Sequence, residues 1–130
     1  MNNRLRIAIA DDDALNRDFL RRMLLLMGHD VVCSAEDGKE LADYCLQLVP
    51  DLVISDVNMP RLDGISAAAE ITRHHDVPVI LLSGAELPPE IEPLRHVSIL
   101  ATRKKPISRV DLESAVGEVI KRSESLATTT

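Results

Sequence analysis

Several short apolar runs in this chain end in residues that could do chemistry. Asp11, Asp12 and Asp13 follow "RIAIA", Asp56 follows "LVIS", Ser83 follows "PVILL", and Lys105 comes just after the run from Ser98 to Thr102. Two carboxylates about 4 Å apart repel by roughly 4 kcal/mol at an effective dielectric of 20. Gathering Asp11, Asp12 and Asp56 in one cleft therefore calls for a cation. Oxygen-only ligands with room for water favour Mg²⁺ over Zn²⁺, and neither a cysteine nor a histidine stands at these positions. With such an ion, Asp56 would be an attacking carboxylate, while Ser83 and Lys105 would donate hydrogen bonds to the oxygens of a transferring phosphoryl group.

Each residue also has a plainer reading. An Asp run before a helix supplies an N-cap, and Asp13 fits that use ahead of Ala14. A hydroxyl such as Ser83 at a strand end is often a turn residue. Lys105, next to Arg103 and Lys104, resembles a solvated basic patch. Asp56 has no such alternative, because an acid ending an otherwise apolar strand serves no evident structural purpose.

The elements that must position these groups are legible from periodicity. Arg6–Ala10 reads as a strand. From Ala14 to Met27, Leu15, Phe19, Met23 and Leu26, with Leu20, Leu24 and Met27, recur at helical spacing, and Gly28 supplies the stop. Val31–Ala35 is a second strand. After the Asp37–Gly38 turn, Leu41, Ala42, Cys45, Leu48 and Val49 mark a second helix ended by Pro50. Leu52–Ser55 is a buried strand leading to Asp56, and the turn-rich "VNMPRLDG" precedes a helix over Ile65–Arg73. Pro78–Leu82 is a fourth strand. Pro88, Pro89 and Pro93 shorten or distort any helix that follows. Ser98–Thr102 is a fifth strand, and Ser108 with Asp111 forms a capping-box pattern for a last helix. Residues 1–122 thus read as one domain, with 123–130 a frayed tail lacking periodicity. Strands alternating with helices imply right-handed crossovers and an α/β fold, a doubly wound parallel sheet of five strands with helices on both faces. In such sheets functional groups collect at the carboxyl ends of the strands.

Composition narrows the function classes. Aromatics are only 2 % of the chain, so the core must be aliphatic and no platform exists for stacking single-stranded bases. A formal charge of −6 opposes general nucleic-acid binding. Cys33 and Cys45 lack metal-ligand spacing and read as two buried thiols in a reducing cytoplasm. No signal peptide and no membrane-length apolar stretch is present, so a cytoplasmic protein without membrane contact is expected.

The order and spacing of "IAIADDD", "LVISDVNMPRLDG", "PVILLSGA" and "KKPIS" resemble the receiver domain of bacterial two-component response regulators, the CheY-like superfamily, from about Arg4 to Arg122. The resemblance implies the flavodoxin-like strand order 2-1-3-4-5 and assigns roles by position. Asp56 matches the phosphoacceptor, Asp12 the acid that binds Mg²⁺ directly, and Asp11 its neighbour acting largely through water. Asn58 would lend its backbone carbonyl to the metal. Ser83 matches the switch hydroxyl, Gly84 the small residue after it, and Lys105 the phosphate-contacting lysine, with Lys105–Pro106 the candidate for a cis bond. Pro60 and Gly64 match the turn after the phosphorylation loop.

The same resemblance implies a signalling domain rather than an enzyme, beyond self-phosphorylation and self-dephosphorylation. A histidine kinase or histidine phosphotransfer protein would be the donor and a downstream protein the target, with the chain a monomer or a phosphorylation-dependent dimer. The sequence departs from the family pattern at Thr102, where an aromatic switch residue is common, at Arg103 and Lys104, which replace a hydrophobic pair, at Ile107, and in its proline-rich fourth helix. A pseudo-receiver that keeps the fold without phosphorylation is the alternative. A haloacid-dehalogenase-like phosphatase would want a second Asp where Asn58 stands, and a flavin module would want stacking aromatics.

Overall fold

The computed structural model describes residues 4–84, 99–104 and 107–128, of which 99–104 and 122–128 are described by their backbone. Its elements are β1 (Arg6–Ala10), α1 (Ala14–Leu26), β2 (Asp30–Ala35), α2 (Gly38–Gln47), β3 (Leu52–Asp56), α3 (Gly64–His74), β4 (Val79–Ser83), β5 (Ile99–Lys104) and α4 (Arg109–Thr128). β1 pairs in parallel with β2 on one side and β3 on the other, and β4 joins β3 in parallel, so the sheet runs β2-β1-β3-β4, as expected. The backbone of β5 continues the sheet beyond β4, with Thr102 opposite Leu81.

The period-two alternation of a strand divides the core between two faces. Ile7, Ile9, Leu52, Ile54, Ile80 and Leu82 pack with Leu20 and Leu24 of α1 and with Leu112, Ala115, Val116 and Val119 of α4. Ala8, Ala10, Val53, Val79 and Leu81 pack with Leu41, Ala42 and Cys45 of α2 and with Ala67, Ala68 and Ile71 of α3. Large side chains of the sheet thus meet α1 and α4. Small ones on β1 and α3 let α2 and α3 approach closely.

Caps define where the helices start. Asp13 accepts a hydrogen bond from the Leu15 amide (2.8 Å), Asp37 from Glu40 (2.8 Å) and Asp63 from Ser66 (2.8 Å). Ser108 accepts one from Asp111 (3.1 Å). Gly28, at φ +91°, turns the chain out of α1 in a conformation that glycine adopts without steric penalty.

The structure differs from the sequence reading in three places. Of the apolar residues at helical spacing in α1, Leu15, Phe19 and Leu26 are exposed, because a helix on a sheet buries one stripe and these three lie about 100–180° around the helix from Leu20 and Leu24. α2 ends at Gln47, leaving Leu48 and Val49 outside the buried face. α4 runs on to Thr128, into the stretch without periodicity. The proline-rich segment and the Lys105–Pro106 bond lie outside the described residues. Cys33 is half-buried and Cys45 buried. Burial pushes their thiols up to about 11 and about 12, so both stay protonated at neutral pH.

At the opposite end of the sheet from the aspartates, Leu5 donates its amide to Nδ1 of the buried His29 (3.1 Å). Burial lowers the His29 pKa below its ordinary 6.5, against the pull of the neighbouring Asp30 carboxylate. The unfolded state therefore takes up this proton first, so the contribution to stability is complete above pH 6.5 and is lost as pH falls through the folded value. An Asn at this position would place Oδ1 where Nδ1 lies and would not titrate. His29→Asn is expected to flatten the fall in urea midpoint below pH 6.5; an unchanged pH profile would exclude His29 as its source.

Candidate functional site

The reversal of strand order falls between β1 and β3, because β2 lies on one side of β1 and the rest of the sheet lies on the other. Parallel sheets open a crevice at such a point, beyond the strand carboxyl ends. The register sets Ala10 opposite Ser55, so Asp11 and Asp12 leave β1 beside Asp56, the last residue of β3. Carboxylate oxygens of Asp11, Asp12 and Asp56 all lie within 4.8 Å of one another. Asp11 and Asp56 are buried while Asp12 is exposed. The three aspartates are therefore brought together by pairing of two non-consecutive strands.

Hydrogen bonds hold the first of these acids in place. The Asp11 amide donates to the Ala35 carbonyl (3.1 Å), its Oδ1 accepts from the Asp13 amide (2.9 Å), and its carbonyl accepts from Arg17 (2.7 Å). Asp13, the third acid, is turned to capping α1 and does not join the cluster. Its plainer reading is the observed one.

Ser83 ends β4 and is buried. Leu82, the residue before it, pairs with Asp56, so the hydroxyl belongs to the same edge of the sheet. Gly84 follows with open space where a Cβ would stand. Asn58 lies exposed in the loop after Asp56. Lys105 lies outside the described residues, as do the side chains of Thr102, Arg103 and Lys104.

The loop between β3 and α3 is held from below and from the side. The Val57 amide donates to the Leu82 carbonyl (2.9 Å), and the Gly64 amide donates to the Val57 carbonyl (2.8 Å). A Cβ on Gly64 would lie 2.0 Å from the Asp56 carbonyl oxygen and 3.1 Å from Ser55 Oγ, so only glycine fits. At the loop's crest the Leu62 amide donates to the Pro60 carbonyl (2.7 Å) across Arg61 at φ +67°. This is a γ-turn of the rare positive-φ kind, which strains a residue with a side chain by about 1–2 kcal/mol. The Arg61 guanidinium pairs with the buried Asp37 carboxylate (Nε–Oδ2 3.0 Å), and the Gly38 amide donates to the Leu62 carbonyl (3.0 Å).

Asp37 and Arg61 were not singled out by sequence reasoning. The Asp37–Gly38 pair carried only a turn signal, and Arg61 sat inside a loop read as turn residues. The one signal available was Gly38, whose Cβ would meet the Leu62 carbonyl at 2.0 Å.

The donor set is a fit for a hard divalent cation: oxygen donors alone, two of them buried, and mutual repulsion that a cation would relieve. A family model for the response regulator receiver domain matches residues 7–117, and the chain belongs to that family. It is similar to the transcriptional regulatory protein PdtaR of Mycobacterium tuberculosis, 38 % identical over 117 residues, covering 90 % of this chain and 57 % of that one. It is also similar to a protein-glutamate methylesterase/protein-glutamine glutaminase of Archaeoglobus fulgidus, 32 % identical over 128 residues and covering 96 % of this chain and 37 % of that one. The chain thus spans about half the length, or less, of these relatives. In fold it matches a response regulator receiver domain protein from Clostridium thermocellum with a TM-score of 0.83 at 24 % identity, over 93 % of this chain and 98 % of that one. Among the described residues no helix is long and apolar enough to cross a membrane.

Two outcomes are expected. Asp12→Asn removes one of three crowded charges, so it should raise the melting temperature in metal-free buffer and diminish the further rise caused by millimolar MgCl₂. A lower melting temperature without metal would show that repulsion does not dominate the cluster. Gly64→Ala forces the Asp56 carbonyl to move and should destabilise the fold by about 1–3 kcal/mol in urea titration, the usual penalty for overpacking. Wild-type stability would mean the loop yields freely.

Proposed function

We propose that this receiver domain, residues 1–122, accepts a phosphoryl group on Asp56 from a histidine kinase or a histidine phosphotransfer protein, and thereby switches its binding to a downstream protein. The observation that carries the reading is the meeting of three carboxylates from two adjacent strand ends, two of them buried, at the reversal point of the sheet. Asp11, Asp12 and Asp56, with the main-chain carbonyl of Asn58, would hold Mg²⁺. When bound, that ion would neutralise charge on the phosphoryl oxygens and lower the repulsion among the acids.

The chain's own residues do the rest in this reading. A carboxylate oxygen of Asp56 attacks phosphorus, a new P–O bond forms as the donor's P–N or P–O bond breaks, and the leaving group departs in line. The product carries roughly two added negative charges. Ser83 and Lys105 donate hydrogen bonds to its oxygens, and Gly84 leaves its amide open to them. Drawing Ser83 inward biases an existing equilibrium of the β4–β5 surface. That mechanism uses the complete doubly wound sheet in the order 2-1-3-4-5, with helices on both faces. The domain would act as a phosphoacceptor in the cytoplasm, as a monomer or a phosphorylation-dependent dimer, with no catalysis beyond its own phosphorylation and dephosphorylation. Relatives named as a transcriptional regulator and a methylesterase suggest that the same switch serves different outputs.

Intact mass after incubation with acetyl phosphate, with and without Mg²⁺, tests the proposal. One added phosphoryl group is expected only with Mg²⁺ and only when Asp56 is present, so Asp56→Asn should abolish it. No adduct, together with failure to bind beryllofluoride, would sink the mechanism and leave an interaction module of the pseudo-receiver kind.

A further inference from the structure

The most unusual contact near the site is the one between Arg61 and Asp37. A residue with φ +67° is ordinarily glycine or asparagine, and arginine brings nothing to such a turn unless its side chain is used. Here it is used. Its guanidinium reaches back across the loop to a carboxylate that is 3 % exposed, although the arginine itself is 68 % exposed. Both oxygens of Asp37 are engaged, Oδ1 by the Glu40 amide at 2.8 Å and Oδ2 by Arg61 at 3.0 Å. Next to this pair the Gly38 amide binds the Leu62 carbonyl at 3.0 Å, in an approach too close for any Cβ.

We infer that the Asp37–Arg61 pair is a positioning latch, which clamps the strained crest of the loop onto the start of α2 and so fixes the backbone of residues 57–63. The inference rests on the proposed phosphoacceptor role of Asp56. That stretch begins at the residue after Asp56, contains Asn58, and ends at Asp63, directly before Gly64, which is pressed against the Asp56 carbonyl. Releasing the crest would let the loop relax from its γ-turn. The Asn58 carbonyl and the Asp56 carboxylate would then lose their fixed relation to Asp11 and Asp12. Arg61 and Asp37 touch no reacting atom in this reading. They act through the loop.

The variants are Arg61→Gly, which removes the pair and the backbone strain together, and Asp37→Asn, which keeps an acceptor for the Glu40 amide and loses the charge. The double variant and Arg61→Lys complete the set. The readouts are the rate of phosphorylation by acetyl phosphate against Mg²⁺ concentration, amide hydrogen exchange over 57–63, and urea midpoint. The latch predicts faster exchange in the loop and phosphorylation slowed roughly tenfold or more in each single variant, as expected when reacting groups lose alignment. The double variant should be no worse than either single one, because the two residues form one device. Arg61→Lys should recover part of the rate, and the urea midpoint of Arg61→Gly should stay near wild type. Wild-type rates and wild-type loop exchange in the single variants would overturn the latch and leave an ordinary surface ion pair. Phosphorylation slowed only in proportion to a falling urea midpoint would overturn it as well. A wild-type protein that takes no phosphoryl group, with loop exchange still raised in the variants, would instead overturn the phosphoacceptor role and confine the pair to anchoring the loop.

Discussion

Three carboxylates within 4.8 Å of one another set the terms for everything around them. Such a cluster opposes folding, since each pair repels by a few kcal/mol even at a moderately high effective dielectric. The aliphatic core must outweigh it. Leaving Asp12 exposed limits the penalty, while Asp11 is restrained by three hydrogen bonds through its amide, its carbonyl and its side chain. The fold thereby keeps a site of high negative charge density in a rigid frame.

The two faces of the sheet divide the labour. Toward α1 and α4 the central strands present Ile and Leu, which form a deep aliphatic layer. Toward α2 and α3 they present mostly Ala and Val, with Leu81 the one larger side chain, and the helices answer with Ala42, Ala67 and Ala68. Small side chains let α2 and α3 lie near the sheet, and that closeness brings the start of α2 against the loop leaving β3. Gly38 and Gly64 are the two points where backbone meets backbone too tightly for a Cβ. The loop that follows Asp56 is thus gripped at its middle by α2 and at its end by the Asp56 carbonyl itself.

Strain and charge are paired at the crest of that loop. Arg61 occupies a conformation that disfavours side chains, and its side chain offsets this by compensating a buried carboxylate. An exposed ion pair between two mobile side chains adds little to stability. One with a buried, doubly engaged partner restricts geometry instead.

Much of this protein could be read from its residues alone. Runs of β-branched and aliphatic residues gave away the strands, Asp13 and Ser108 were legible as the residues that start helices, and an acid at the end of an apolar strand marked Asp56. These signals are local, and local propensity acts over a few residues, so the order of elements and the identity of the aspartates were legible. The tertiary structure decided what depends on contacts between distant segments. It set β1 beside β3, which turned two separate acidic signals into one cluster. It chose which apolar stripe of α1 faces the sheet and left Leu15 and Leu26 outside. It also joined Asp37 to Arg61, 24 positions apart, a pairing without any trace in composition or periodicity because it exists only where a helix start and a loop crest meet.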